Sequence, residues 1–296
     1  MYKVSNARQL VDKIYAMDIE APRVTAHCQP GQFIIVKVDK NGERIPLTIC
    51  DYDREKGTVT IVFQIAGVTT TKIAELKDGD EFCDVTGPLG KPSDLIFEPI
   101  EDLKKKSIIF IAGGVGAAPV YPQAKWLKEH GVGCDIILGS KTKDLLIMED
   151  ALRSVCTDLY VATDDGSYGF AGMVTQQLED LVENKGKKYD LCVSIGPMIM
   201  MKFTALTTKK YDIPTVVSMN PIMVDGTGMC GGCRLHVGGE VKFACVDGPE
   251  FDGHKVNFDE AMKRSQMYKT LEGRALLKLQ EGDTHHGGCG NCGEEA

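Results

Sequence analysis

Short hydrophobic segments separated by turn signals dominate residues 1 to about 100. They are rich in Val, Ile, Thr and Phe, and the turns between them include the sequences NGE and REKG. The segments are FIIVKV (33–38), IPLTIC (45–50), TVTIVFQI (58–65) and DEFCDVTG (80–87). Several short strands at this spacing predict an antiparallel β-barrel.

After Lys104 the pattern changes to wholly apolar strands that alternate with helical segments. The strands are SIIFIAGG (107–114), CDIILGS (134–140), LYVATDDG (159–166), YDLCVSIGP (189–197) and IPTVVSMN (213–220). Strands that are apolar throughout are typical of a parallel sheet covered by helices on both faces. The predicted fold class is therefore an antiparallel β-barrel followed by a parallel-sheet α/β domain.

The rest of the chain is first glycine-rich and then helical. Asn257 is a candidate N-cap for a helix that runs to about Gln280, with the Glu260 side chain reaching back to the cap. The predicted parts are the barrel (1–103), the α/β domain (104–218), a cysteine-containing loop region (219–256) and a C-terminal helix and tail (257–296).

Composition and charge narrow the classes of function. Of the 296 residues, 43% are hydrophobic and 26% are charged, as in an ordered globular protein. The formal net charge is −8, whereas a protein that binds nucleic-acid phosphates normally has a basic excess. No apolar run approaches ~18 residues, and the first ten residues lack the apolar core of a signal peptide. We expect a cytoplasmic protein with no nucleic-acid partner and no membrane partner.

A glycine-rich turn joins the first apolar strand of the α/β domain to a helix. The turn Gly113–Gly116 allows close backbone approach, and the helix that follows offers unpaired N–H groups to a pyrophosphate. Gly196-Pro197 ends another strand of the domain, and open α/β sheets bind ligands at such strand ends. The pattern predicts a dinucleotide site, and a structural glycine turn is the alternative.

A weaker pattern lies in the barrel. The strand Arg44–Thr48 carries a hydroxyl, and the turn Gly67–Thr70 follows downstream. A hydroxyl in a strand and the amides of a turn can hold a flavin ring and its phosphates. On these residues alone, an ordinary strand and loop is the favoured interpretation.

Three clustered cysteines indicate a metal centre. Cys230 and Cys233 have the spacing C-x2-C, and Cys245 follows after eleven intervening residues. The plant-type [2Fe–2S] pattern is C-x4-C-x2-C with a distant fourth cysteine, which places Asp225 at the position of the first ligand. Glycines fill the spacer, as expected where a backbone wraps a cluster. Zinc is the alternative, since three cysteines and one Asp or His also build a tetrahedral site.

The tail has a second metal-like spacing. It reads His285-His286-x2-Cys289-x2-Cys292 within a glycine-rich segment. A flexible, glycine-rich tail without a built metal site is the favoured interpretation.

Five stretches together carry a family resemblance. They are RIPLTICDYD, GPLGKPS (87–93), GGVGAAPVYP (113–122), TDDGSYG (163–169) and DGTGMCGGC (225–233). Because of these stretches and the order of the predicted parts, residues 1 to about 280 resemble the ferredoxin reductase-type electron-transfer flavoproteins. Within these, the chain is similar to dihydroorotate dehydrogenase electron-transfer subunits. It is more similar still to the small (alpha) subunits of NADH-dependent reduced ferredoxin:NADP+ oxidoreductases, also called sulfide dehydrogenase subunits.

The resemblance implies roles for individual residues. FAD would lie along Pro46–Thr48 and Val62–Gln64, with its pyrophosphate at Thr69 and Thr70 and Arg44 as a phosphate ligand. NAD(H) would contact the loops that contain Gly113–Gly116, Asp164-Asp165 and Gly196-Pro197. The implied cofactor-binding residues are Arg44, Pro46, Leu47, Thr48, Val62, Phe63, Gln64, Thr69, Thr70, Gly113, Gly114, Val115, Gly116, Asp164, Asp165, Gly196 and Pro197. Arg44 departs from the broader R-x-[YF]-[ST] pattern, because it stands one residue further from the hydroxyl and a leucine replaces the aromatic residue.

The resemblance also implies the cluster ligands. They are Asp225, Cys230, Cys233 and Cys245. An Asp replaces the first cluster cysteine in the ferredoxin:NADP+ oxidoreductase branch, whereas the dihydroorotate branch uses four cysteines. No side chain is implied as catalytic, because the cofactors carry the chemistry.

The implied activity is electron transfer between NAD(H), FAD and a [2Fe–2S] cluster within an electron-bifurcating complex. The implied partner is a large subunit with FAD and [4Fe–4S] clusters that binds NADP(H) and ferredoxin, in a heterodimer or larger assembly. Two alternatives stay open. One is the electron-transfer subunit of a dihydroorotate dehydrogenase, and the other is a non-catalytic subunit with structural zinc.

Overall fold

The structure, a computed structural model, describes residues 2–281, and its first part is a seven-stranded antiparallel sheet. The strands are β1 (Tyr2–Val11), β2 (Ile14–Glu20), β3 (Phe33–Lys37), β4 (Ile45–Asp53), β5 (Thr58–Gln64), β6 (Glu81–Phe82) and β7 (Asp84–Leu89). Helix α1 (Pro22–His27) follows β2, and helix α2 (Val68–Ala74) follows β5. The strand order is β6-β1-β2-β5-β4-β3-β7.

One stretch of chain closes this sheet into a barrel. Strand β6 pairs with β1, and β7, which begins two residues after β6 ends, pairs with β3. The two edges of the sheet are thus joined through Cys83. The barrel predicted from the sequence is confirmed, and its interior is filled by inward-facing apolar side chains of the strands, such as Ile19, Ile61 and Phe82.

The hairpin of β1 and β2 lies outside the four segments that the hydrophobic pattern marked. Strand β1 is mostly polar and buries only Val4 among its ten residues. Strand β1 is held in the sheet by pairing with β2 and β6. The hydrophobic pattern of β1 itself does not predict this pairing.

The second part is a largely parallel sheet with helices on both faces. Its parallel strands are β8 (Ile108–Gly113), β9 (Asp135–Ser140), β10 (Asp158–Thr163), β11 (Phe170–Ala171), β12 (Leu191–Ile195) and β13 (Thr215–Ser218), in the order β11-β10-β9-β8-β12-β13. The helices are α3 (Ile100–Leu103), α4 (Ala117–Glu129), α5 (Glu149–Val155), α6 (Val174–Glu179) and α7 (Met198–Lys210). The chain reverses direction across the sheet between β8 and β12, and such a switch point is where open α/β sheets bind ligands.

The loop region is tied into this parallel sheet. It contains the hairpin β14 (Arg234–Val237) and β15 (Glu240–Phe243), the short helix α8 (Ala244–Asp247) and strand β16 (Glu250–Asp252). Strand β16 pairs antiparallel with β13 at the edge of the sheet. The cysteine-containing region is therefore fixed to the α/β domain by main-chain hydrogen bonds.

The C-terminal helix is broken, which corrects the single helix expected from 257 to about 280. It consists of α9 (Phe258–Arg264) and α10 (Lys269–Glu281). Helix α9 buries Phe258 and Ala261, whereas α10 buries none of its side chains. Because α10 has no buried contact with the core, it does not continue α9 as one straight helix. The tail with its His and Cys pairs lies outside the described residues.

The N-cap of α9 makes one of the two hydrogen bonds expected from the sequence. Asn257 Oδ1 accepts a hydrogen bond from the Glu260 N–H at 3.1 Å, as an N-cap should. The Glu260 carboxylate does not return to the cap, because it bonds the Nδ1 of His236 at 2.6 Å instead.

The barrel and the α/β domain share one apolar core. Ile14, Cys50 and Val62 of the barrel pack in the same buried cluster as Phe110 and Val120 of the α/β domain. Lys125 on α4 also pairs with Asp51 on β4 at 2.8 Å. A cavity between the two parts therefore has firmly held walls. Within residues 2–281, none of the helices combines the length and the apolar character needed to span a membrane.

Candidate functional site

A cavity of about 460 Å³ opens between the barrel and the carboxyl ends of β8, β12 and β13. It brings together most of the cofactor-binding residues predicted from the sequence. Those that line it are Pro46, Leu47, Thr48, Val62, Phe63, Gln64, Thr70, Gly113, Gly114, Val115, Gly116, Gly196 and Pro197.

The barrel wall of the cavity is mostly apolar. Pro46–Thr48 on β4 stay partly exposed, while Val62 and Phe63 on the adjacent strand β5 are buried. Gln64 is exposed at the end of β5. An apolar face with a hydroxyl and an amide at its margin suits a planar, heteroatom-rich ring such as a flavin.

The glycine loop forms the opposite wall, and its glycines serve different purposes. Gly114 has φ +55°, and a Cβ built there would meet nothing within 4 Å, so this position faces open space. A Cβ on Gly116 would lie 2.1 Å from the Ile195 carbonyl oxygen of β12. Gly116 is therefore required because the loop packs directly against β12, and Gly114 is the glycine that leaves room for a ligand.

Two of the predicted barrel residues are engaged with protein atoms outside the cavity. The Arg44 guanidinium pairs with Asp84 at 3.0 Å. The Thr69 hydroxyl donates a hydrogen bond to the Glu43 carboxylate at 2.6 Å. Thr70 lines the cavity, but its Oγ1 accepts the Gly67 N–H at 3.0 Å and so closes the turn before α2.

The two predicted aspartates lie at the same edge of the sheet but do not line the cavity. The Asp164 N–H donates to the Ser140 carbonyl at 3.0 Å, which joins the loops after β10 and β9. The Asp165 carboxylate accepts the hydroxyl of Ser167 at 2.7 Å and its N–H at 3.0 Å. These bonds hold the pKa of Asp165 below its usual value.

Sequence reasoning missed one side of the cavity. It is formed by Phe33 on β3, by the segment that follows β13, and by Pro249 before β16. These residues are Ser218, the last residue of β13, and Met219, Asn220, Pro221 and Met223 after it. The rule about strand ends, applied to IPTVVSMN as it was to the glycine strands, would have found this segment.

The cysteine loop continues from that segment and rests on the barrel. A Cβ on Gly226, whose φ is +85°, would lie 2.6 Å from Ile35 Cδ1 and 2.8 Å from Leu89 Cδ1. Cys233 and Cys245 are buried with their Sγ atoms 3.3 Å apart, while Cys230 is exposed. In residues 2–281 no three His, Cys, Asp or Glu side chains are already grouped so that they could hold a metal ion.

Main-chain donors point at the cysteine sulfurs. The Gly232 N–H donates to Cys230 Sγ and the Cys245 N–H donates to Cys233 Sγ, each at 3.5 Å. The Gly232 N–H lowers the pKa of Cys230, which favours the thiolate that binds metals. Burial raises the pKa of Cys245 to about 12, so a metal bound there has to displace the thiol proton. Thiols surrounded by N–H donors fit an iron–sulfur cluster.

Asp225 uses its carboxylate to build the turn of this loop. It accepts the N–H of Thr227 at 2.9 Å, the hydroxyl of Thr227 at 2.5 Å and the N–H of Met229 at 3.3 Å. The bonds from Thr227 hold the pKa of Asp225 below its usual value, so the group is a carboxylate at neutral pH. An iron ligand at this position would have to share or replace these bonds.

The chain is similar to known proteins over its full length. Residues 220–257 match the family described as the iron–sulfur cluster binding domain of dihydroorotate dehydrogenase B. A Thermotoga maritima protein named as a homolog of the dihydroorotate dehydrogenase B (NAD+) electron-transfer subunit is 44% identical, with 89% of this chain and 90% of that protein aligned. An uncharacterised Clostridium beijerinckii protein from the adh 3′ region is 63% identical over the whole of both chains.

A solved structure has the same fold throughout. It is a chain of an NADH-dependent reduced ferredoxin–NADP oxidoreductase described in connection with flavin-based electron bifurcation. The TM-score is 0.85 at 40% identity, and the match covers 95% of this chain and 98% of the other.

Proposed function

Because the chain belongs to the family of dihydroorotate dehydrogenase B electron-transfer subunits, we propose that it is the NAD(H)-linked subunit of an electron-bifurcating ferredoxin:NADP+ oxidoreductase. It is an FAD- and iron–sulfur-dependent oxidoreductase subunit whose cofactors are FAD, a [2Fe–2S] cluster and NAD(H). The bifurcating branch is favoured by the likeness to the ferredoxin–NADP oxidoreductase chain and by Asp225 at the first ligand position.

One observation carries the proposal. A single cavity has the predicted flavin strands on one side and the predicted dinucleotide loop on the other. The segment that lines its third side leads directly into the cysteine loop. A nicotinamide, a flavin and a cluster can thus be held in sequence by one chain.

Within the cavity, Pro46, Leu47 and Thr48 would hold the flavin ring against β4. The Gln64 amide would form a hydrogen bond with a polar atom at the edge of the ring. Gly114 would leave room for the nicotinamide to stack on the ring from the side of the α/β domain. The buried wall of Val62 and Phe63 would exclude water from the contact. When bound, FAD converts the two-electron hydride of NADH into the single electrons that a [2Fe–2S] cluster carries.

In the loop region, Cys233 and Cys245 would form the preassembled half of the cluster site. Cys230 and Asp225 would complete it from the glycine-containing turn 225–233. The N–H groups of Gly232 and Cys245 would then bond the coordinating sulfurs, which favours the reduced cluster.

The chain works as one subunit of a larger complex. We propose that its partner is a large subunit with FAD and [4Fe–4S] clusters that binds NADP(H) and ferredoxin, and that the complex is cytoplasmic. The exposed apolar side chains around the cysteine loop, Val224, Met229 and Val246, suit contact with such a partner.

The test is anaerobic purification of the chain together with its native partner, followed by cofactor analysis. We expect one FAD and one [2Fe–2S] cluster per chain, and faster reduction of an artificial acceptor by NADH than by NADPH when the chain is assayed alone. A strong preference for NADPH would contradict the assignment to the NAD end.

The same experiment distinguishes the two alternatives. Co-purification with an FMN subunit that oxidises dihydroorotate would replace the bifurcating function by the dihydroorotate function. A colourless loop region that holds zinc would contradict electron transfer altogether, since zinc has no redox chemistry.

A further inference from the structure

Arg44 stands at the meeting point of the flavin strand and the cysteine loop. It directly precedes β4, whose Pro46, Leu47 and Thr48 line the cavity. Its Nε donates a hydrogen bond to the carbonyl oxygen of Val224 at 3.2 Å, and Val224 directly precedes Asp225. One side chain therefore links two segments that are 180 residues apart in the sequence.

The guanidinium is already occupied by protein groups on its other side. Nη1 donates to the Asp84 carboxylate at 3.0 Å, and Nη2 donates to the Thr86 hydroxyl at 3.4 Å. Thr86 also donates to Asp84 at 3.2 Å, so the three side chains form one network on β7 and the start of β4. Because the negative charge of Asp84 lies 3.0 Å from the guanidinium, it would repel a phosphate group bound by Arg44.

The apolar side of the loop is seated on the same part of the barrel. Gly226 approaches Ile35 and Leu89 so closely that no side chain fits. Met223 is buried in one cluster with Phe33 and Ile35 of β3 and with Cys233 and Cys245. Arg44 supplies the polar contact beside this apolar one, and the planar guanidinium fork can make both of its bonds in one fixed geometry.

We infer that Arg44 is a positioning residue that docks the cysteine loop onto the flavin barrel, and that it is not a phosphate ligand of FAD. By holding the Val224 carbonyl, it sets where Asp225 and Cys230 stand relative to β4. Electron transfer between two centres depends on their separation and orientation, so the residue that fixes this geometry governs the internal step without touching either centre. The inference rests on the proposed function only in taking the loop to be the cluster site.

The test compares Arg44→Met and Arg44→Lys with Arg153→Met in the full chain. Arg153 makes a similar ion pair with Glu149 at 2.8 Å on α5, away from the loop, and serves as the matched control. The readouts are FAD content, amide hydrogen exchange of residues 222–233, and the visible circular dichroism and midpoint potential of the cluster. The exchange readout does not require a cluster, so a failure of the proposed function does not obscure it.

We expect Arg44→Met to keep wild-type FAD content and to raise amide exchange in the loop several-fold. The cluster should show an altered dichroism spectrum and a more negative midpoint potential, because a positive charge beside Asp225 is lost. Arg44→Lys should lie between Arg44→Met and the wild type, since one ammonium cannot hold Asp84 and the Val224 carbonyl in the same way. Arg153→Met should match the wild type.

Two results would overturn the inference. Loss of FAD with unchanged loop exchange would make Arg44 a phosphate ligand. Unchanged FAD, exchange, spectrum and potential in both Arg44 variants would make it an ordinary surface ion pair. If Arg44→Met does not fold, Arg44→Lys decides between these outcomes.

Discussion

At the scale of single residues, neighbouring positions of one motif have different physical reasons for their identity. The loop Gly113–Gly116 has the pattern of a dinucleotide motif. Gly116 is needed because it packs against the main chain of β12, whereas Gly114, which faces open space, is favoured by its φ of +55°. Asp225 likewise stands at the position of a ligand while its carboxylate closes a turn. The spacing of the motifs was enough to mark these glycines and Asp225 as candidate site residues. Their roles depend on the atoms they contact, which are the distant Ile195 carbonyl for Gly116 and the N–H groups of the local turn for Asp225.

The two glycines can be separated by substitution. Gly116→Ala should lower the free energy of unfolding by about 1–3 kcal/mol, because the new methyl overlaps the Ile195 carbonyl while its φ of −60° suits alanine. Gly114→Ala should cost about 1–2 kcal/mol through its left-handed backbone, and it should also raise the KM for NADH. Denaturant unfolding and steady-state kinetics at equal FAD content measure both effects. A Gly116→Ala protein as stable as the wild type would contradict the close approach.

Asp225 allows a sharper test than removal of its side chain. Asp225→Asn keeps an oxygen that can accept the Thr227 and Met229 N–H groups, but it removes the anionic charge that favours binding to iron. If Asp225 is a ligand, the Asn and Ala variants should both lose or weaken the cluster, and Asp225→Cys should hold one with a changed spectrum. Iron content and visible absorption are the measurements. A normal cluster in the Asn variant and a lost one in the Ala variant would assign Asp225 to the turn.

At the scale of elements, the hydrophobic pattern predicted what depends on local sequence and missed what depends on pairing. The buried strands β8, β9 and β12 were predicted because they are apolar throughout. Strand β16 was not, since its three residues become a strand only by pairing with β13. The break between α9 and α10 was missed for a related reason, because helical propensity continues where the buried contacts of α9 end.

Strand β16 also carries a half-buried acid, Glu250, that is linked to α4 and to the loop at Ser93. Glu250 accepts a hydrogen bond from Gln123 of α4 at 2.6 Å, and Gln123 accepts one from Ser93 at 3.2 Å. Burial raises the pKa of Glu250 from 4.5 to about 7, and nearby Asp94 adds to the rise. Between these two values the folded chain binds more protons than the unfolded chain, so the contribution of Glu250 to stability falls as the pH rises through this range.

Glu250→Gln should remove this pH dependence. The amide oxygen can still accept the Gln123 bond, so we expect the variant to be more stable than the wild type at pH 8 and to lose that advantage at pH 4.5. Denaturant unfolding at the two pH values measures the difference. Glu272→Gln on the exposed helix α10 is the control and should change neither value. An equal effect of Glu250→Gln at both pH values would mean that Glu250 does not titrate in this range.

At the scale of the whole molecule, two sheets with a shared core form the walls of the cavity, and the cysteine loop is held by both. The barrel contacts the loop at Ile35 and Leu89, and the parallel sheet holds the region through β13 and β16. Fold class and order of parts could be predicted from the sequence, because each part has its own pattern. Their mutual packing could not, since contacts such as Arg44 with Val224 join segments that have no shared pattern.

In the proposed function, this one chain carries electrons from NADH through FAD to a [2Fe–2S] cluster. The most direct measurement is an anaerobic titration of the purified chain with NADH, followed by visible absorption and electron paramagnetic resonance. We expect the flavin band to bleach and the signal of a reduced [2Fe–2S] cluster to develop. In a sample from which FAD has been removed, the cluster should stay oxidised. A cluster reduced equally well without FAD, or a flavin that NADH does not reduce, would contradict the proposed function.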